Sequence, residues 1–159
     1  MIVGQAVTQA PNDKEQLLAM VETIERQSGQ RPEEILADSG YCSEKNLEAL
    51  ESADDPKSRI EAFLATQRQK HGEYREPSPR GPLPAGATRV DRMRRKLKTR
   101  AGKTGYAARK TIVEPVLGQI KQARGFRQFL LRGIDKVRAE WSLLCLTHNV
   151  LKLYRLCCE

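Results

Sequence analysis

The chain has 159 residues and a mass of 18.0 kDa, enough for one domain around one core. Hydrophobic residues make up 39%, aromatic residues 5% and charged residues 30%. No stretch approaches the ~18 successive apolar residues of a membrane span, which argues against a membrane partner. The opening MIVGQAVTQAPND lacks the cationic start, long apolar stretch and small-residue cleavage site of a signal peptide, so a cytoplasmic location is expected. Cys42, Cys145, Cys157 and Cys158 have no metal-site spacing and read as reduced thiols of a cytosolic protein.

The net charge of +8 is unevenly spread. Residues 1–56 hold four basic and twelve acidic side chains, whereas residues 57–159 hold twenty-four basic and eight acidic ones. The second part is therefore suited to a polyanion, and nucleic acid is the commonest. The alternative is a highly soluble surface with no partner.

Met1 to Thr8, an apolar and β-branched run, reads as a strand. Pro11, Asn12 and Asp13 end it and offer caps. Lys14 to Gln27 reads as a helix with Leu17, Leu18, Val21 and Ile24 on one face, stopped by Gly29. Glu33 to Asp38 is a second short strand. Ser43 caps the next helix, whose Leu47 and Leu50 face inward. Ile60 to Thr66 fits a strand or a short helix equally, since alternation and helical spacing both apply. The alternation of strand and helix argues for an α/β layer with a parallel sheet. Three strands make a small sheet with exposed edges, as in the back part of a larger domain.

Residues 72–86 contain four prolines and three glycines and read as a loop or linker. Residues 89–103 carry eight basic side chains against one acid, with Val90, Met93 and Leu97 on one side of a potential helix. Ala107 to Arg124 reads as a helix that Pro115 can kink. Glycines at 125 and 133 bracket FRQFLL. Ile134 to Leu156 is apolar on most sides, which predicts a mostly buried helix docked on the sheet or a partner.

Two carboxylates stand out. Asp38 ends a strand, where ligands gather in open α/β sheets, although an Asp in that place also commonly starts a turn. Glu114 lies among Ile112, Val113, Val116 and Leu117, so a covered helix surface is expected around it, with a metal or an arginine nearby. The plainer reading pairs Glu114 with Lys110 or Lys121. Arg109 can clamp a phosphate with two hydrogen bonds and Lys121 can supply a point charge two turns on. Both are also ordinary solvent-facing residues. His71 is a lone histidine, and His148, in LTHNV, reads as a packed helix residue rather than a ligand. Cys42 reads as a buried thiol, and Trp141 and Phe126 as packing residues.

ILADSGYCSEKNLEAL, VEPVLGQIKQARGFRQFLLRG and EWSLLCLTHNVLKLYR together resemble the C-terminal part of a bacterial insertion-sequence transposase of the DDE class. The resemblance runs from about Ile2 to Arg155 and is most specific around Glu114. It implies an α/β fold of incomplete RNase H-like core, a short sheet with flanking helices, followed by a helical C-terminal part. It divides the chain into a partial core at 1–66, a Pro/Gly-rich and basic insertion or linker at 67–105, and a helical part at 106–159 that completes the core. It implies metal-dependent DNA strand cleavage and transfer with Mg²⁺ or Mn²⁺, Asp38 and Glu114 serving as catalytic metal ligands. Tyr106, Arg109, Glu114 and Lys121 resemble the family's Tyr-Arg-Glu-Lys signature, with four residues between Arg and Glu where three are common. These three partners of Glu114, with Arg94, Arg95, Lys96 and Lys98 of the basic stretch, are the expected DNA contacts. The implied partners are DNA, as transposon ends and target, and a second copy or a full-length transposase; on DNA the protein is nucleoid-associated. The family's first aspartate falls on a strand before a segment like Ile2 to Thr8, and Asp13 reads as a helix cap rather than its substitute. The expectation is a transposase fragment with weak or absent catalysis by itself, or a DNA-binding or transposase-pairing remnant.

Overall fold

In the computed structural model, residues 1–51, 59–67 and 78–158 are described. His71 and the first part of the Pro/Gly-rich stretch lie outside them. Two parallel strands, β1 (Glu34–Ala37) and β2 (Glu61–Leu64), pair with Glu34 opposite Glu61 and Ala37 opposite Leu64. The ambiguous segment at 60–66 is thus a strand. Its tertiary setting decides it, because Ile60, Ala62, Phe63, Leu64 and Ala65 are all buried. Burial on both faces suits a parallel strand covered by helices.

Helix α1 (Gln16–Ser28) buries Leu17 and Val21, one turn apart, and ends at Gly29 with φ 71°. That left-handed position is open to glycine at no steric cost, and the Gly29 N–H closes the helix on the Glu25 carbonyl. Helix α2 (Glu44–Glu51) begins at Ser43, whose hydroxyl accepts from the Asn46 N–H at 3.2 Å. Leu47 and Leu50 are fully buried beneath it. Each such side chain contributes about 1.5–3 kcal/mol of burial.

The basic stretch forms α3 (Arg89–Lys98) and α4 (Arg100–Ala107). Thr88 and Asp91 make a reciprocal capping box at the start of α3. Met93 is buried in the same cluster as Leu47 and Leu50, with Val90 and Leu97 packed against it, as their spacing predicts. The turn between the helices is tight. The Thr99 hydroxyl caps α4 through the Gly102 N–H at 3.0 Å, and a Cβ at Gly102 would fall 1.9 Å from the Lys96 carbonyl oxygen. A Cβ at Gly105 would fall 2.7 Å from the Phe63 ring, so α4 lies directly on β2.

Three expectations change. Met1–Thr8 is not a strand: its backbone runs beside the last helix, α7 (Ile134–Cys158). Asn149 brackets Ile2 with a bond to its N–H (2.8 Å) and one to its carbonyl (2.7 Å), and Arg138 donates to the Val7 carbonyl. Side chains of a helix satisfy these backbone groups in place of a neighbouring strand. A Cβ at Gly4 would meet Ile24 and Met20, so the segment also lies on α1. The sheet among the described residues is therefore two-stranded. Second, Ala107 to Arg124 is not one helix but α5 (Arg109–Ile112), α6 (Glu114–Gly118) and a π-helical turn at Gln119–Ala123. Pro115 sits in the first turn of α6, where its missing N–H costs no helical bond. Third, α7 is not mostly buried. Cys145 and His148 are covered, but Leu143, Leu146, Val150, Leu153 and Leu156 are exposed.

Candidate functional site

The site is built where β1 ends. Asp38 begins a short 3-10 turn, Ser39–Tyr41, and its backbone carbonyl accepts from the Tyr41 N–H at 3.1 Å. Its carboxylate makes no capping bond in that turn. Instead it forms an ion pair with the Arg109 guanidinium, bringing together residues 71 positions apart in the sequence. Asn46, 3% exposed, steadies the loop by donating to the carbonyls of Lys14 and Tyr41 at 2.7 and 2.8 Å. Gly40 lies against the Asp13 side chain, which would stand 3.3 Å from an added Cβ.

Arg109 opens α5, two residues after the end of α4. Tyr106 is buried in a small cluster with Phe63 and Ala65, and its hydroxyl accepts from Arg109 Nη1 at 2.8 Å. The guanidinium carbon lies 5.9 Å from the Tyr106 ring centre. Burial opposes the charge on Arg109, but the Tyr106 bond and the nearby Asp38 and Glu114 carboxylates together raise its pKa above the ordinary value. Arg109 therefore stays charged and feels both acids. The Tyr41 hydroxyl is pushed up as well, first by burial and then by Asp13 and Asp38. Asn12, rather than Asp13, caps the turn before α1, because its side chain accepts from the Lys14 N–H; Asp13 adds negative potential beside the strand end.

Glu114 is exposed, as are Ile112 and Leu117, at 60% and 40%. The covered surface expected around it does not exist, because only Ile120 of this segment is buried. Glu114 needs no buried partner, and its tie to the site is the field it exerts on Arg109. Lys121 is exposed further along, in the π-helical turn. Arg109, expected as a phosphate clamp, is held in the fold by Tyr106 and Asp38.

The basic residues of α3 divide into two sets. Lys96 donates to the Ala62 carbonyl at 2.9 Å, pairs with Glu61 at 3.0 Å and lies 4.2 Å above the Phe63 ring. Arg94 pairs with Asp91 at 3.1 Å, and Arg95 donates to the Gly81 carbonyl. Arg89 joins Glu51 at 2.7 Å and Glu48 at 3.4 Å, while the Glu44 carboxylate accepts from the Arg89 and Val90 N–H groups. This helix thus spends part of its charge docking on the acidic face of α2, a use that the charge count alone does not reveal. Arg92, Lys98 and Arg100 are exposed.

A pair of divalent ions at this place needs several oxygen donors around it. Among the described residues, no group of three or more His, Cys, Asp or Glu stands together to hold a metal ion. With Asp38 held by Arg109, the residues present do not complete such a site. No described helix is long and apolar enough to cross a membrane.

Residues 84–154 match the family model described as transposase DDE domain. The match spans α3 to α7 and includes Arg109, Glu114 and Lys121. No curated protein and no solved structure matches the chain.

Proposed function

We propose that the chain acts in DNA transposition as part of an RNase H-like DDE catalytic domain, with Asp38 and Glu114 supplying two of the carboxylates that hold Mg²⁺ or Mn²⁺. The observation behind this reading is the Asp38–Arg109 ion pair at the end of β1, with Glu114 exposed five residues after Arg109. Arg109 and Tyr106 then face the DNA phosphate that approaches the acids, since a guanidinium offers paired donors to phosphate oxygens. Lys121 and Lys98 add charge along the path of the strand. Arg94, Arg95 and Lys96 contribute mainly to the local field, because contact with DNA requires them to release partners inside the fold. Binding of a divalent ion by this chain is weak, since Asp38 must first give up Arg109.

The Asp38–Arg109 pair also favours a second reading, in which the chain occupies DNA or joins a complete transposase without cutting. Two measurements separate these readings. Mn²⁺ binding followed by electron paramagnetic resonance should be weak in the natural chain, weaker in Asp38→Asn and Glu114→Gln, and stronger in Arg109→Gln. Nicking of supercoiled plasmid by the chain alone should be absent or slow under the same conditions. Mn²⁺ binding that ignores all three substitutions removes the two acids from the reaction and leaves only the second reading.

A further inference from the structure

On the other side of α5 and α6, the chain encloses a cavity of about 260 Å³ against the C-terminal half of α7. Ile112, Pro115 and Val116 form an apolar wall, and His148, Lys152 and Arg155 stand opposite. The latter three lie at i, i+4 and i+7, on one face of the helix. His148 is 2% exposed, and its Nε2 has no hydrogen-bond partner. A buried ring nitrogen without a partner is costly, and the His148 residue lines this cavity. The surrounding charge has one sign. Burial first, then Lys152, Arg124 and the chain's amino group, push the His148 imidazole below its ordinary pKa. Arg124 is fixed there by donating to the Leu144 carbonyl at 3.2 Å and the Thr147 hydroxyl at 2.6 Å. The histidine is therefore neutral, and the positive charge around it calls for an anion that also presents an apolar face.

We propose that this cavity binds the phosphate group of a nucleotide, with Lys152 and Arg155 supplying the charge, His148 packed beside it as a reporter, and Ile112, Pro115 and Val116 the wall for the nucleoside. The same chemistry is offered by a free nucleotide and by the terminal nucleotide of a DNA strand. The site uses none of the residues around Asp38, so it stands or falls apart from the reading above.

The chain has two histidines, His71 and His148, which makes imidazole nuclear magnetic resonance a direct probe. The full chain is titrated with inorganic phosphate, a nucleoside 5′-monophosphate and a 5′-phosphorylated oligonucleotide, with sodium chloride at matched ionic strength as control. The His148 signal should move saturably with each phosphate while that of His71 stays in place. The monophosphate should bind about tenfold tighter than inorganic phosphate, because only it covers the apolar wall. Equal affinity for the monophosphate and the oligonucleotide identifies a free nucleotide as sufficient; tighter oligonucleotide binding identifies the strand end. The double variant Lys152→Gln, Arg155→Gln should weaken binding at least roughly tenfold. Both side chains are exposed, so its thermal midpoint should hold. No saturable movement of His148 with any phosphate, an equal response to sodium chloride, or unchanged affinity in the double variant overturns the proposal.

Discussion

The layer around β1 and β2 and the far half of α7 are comparably apolar in sequence, yet they end in opposite environments. In the first, Leu47, Leu50 and Leu64 have no exposed surface. In the second, Leu146 is 59% exposed and Leu156 72%. The difference lies in how many sides are met. The strand pair is covered by α2, α3 and α4, whereas α7 meets parts of the 111–131 stretch and the amino-terminal segment and leaves Leu143, Leu146, Val150, Leu153 and Leu156 exposed. An apolar residue stabilises the fold only where another element comes to it.

That contrast is sharpest in unfolding by urea. Leu47→Ala should cost about 2–5 kcal/mol, the range for a buried leucine, while Leu153→Ala should cost under about 0.5 kcal/mol. Equal losses would erase the distinction between the two regions. The glycines extend it. Gly105→Ala pushes a methyl group into the Phe63 ring and should destabilise by about 1–3 kcal/mol. Gly118→Ala meets open space within a helix and should stabilise by about 0.5–1 kcal/mol. A thermal melt of each variant reads the opposite signs.

The Asp38–Arg109 pair ties the end of β1 to α5 and should be a weaker link than the buried core. Both groups keep some exposure, at 56% and 25% of their side chains, so a double-mutant cycle with Asp38→Asn and Arg109→Gln should give coupling of about 1 kcal/mol or less, falling with salt. A coupling near zero at low salt would mean that the start of α5 is held at the strand end by packing alone. The smallest effect concerns Glu44. The Val90 N–H bond above all, against a small opposing burial effect, holds its carboxyl below the ordinary 4.5. A depressed carboxyl adds stability that is present above the unfolded value and lost as pH falls through the folded one. The thermal midpoint of the natural chain should therefore fall slightly more between pH 6 and pH 3 than that of Glu44→Gln; parallel pH profiles would assign the docking of α3 to its apolar face.

Much of the strand layer was legible because local signals agree there. The Gly29 stop, the Ser43 cap, the inward Leu47 and Leu50 and the Met93 face each rest on spacing within one element. The site was half legible. Asp38 and Glu114 stood out by type and position, but the burial expected at Glu114 needed a neighbour that does not cover it. The role of Arg109 as partner of Asp38 had no local signal, since an ion pair across 71 residues depends on how α4 is set upon β2. His148 was recognised as buried, but a ring nitrogen left without a partner is invisible until the surrounding atoms are in place.

By itself, the sequence determined the periodicities, the caps and stops, the division of charge between the two parts, and the acidic and basic residues available for phosphate chemistry. These follow from covalent spacing and side-chain type, which the chain carries locally. Only the tertiary structure decided that Ile60 to Ala65 is a buried strand, that the amino-terminal segment bonds to Asn149 rather than to a sheet, and that Arg109 faces Asp38. Each of those depends on a contact between distant segments, where packing chooses among options that local propensity leaves open.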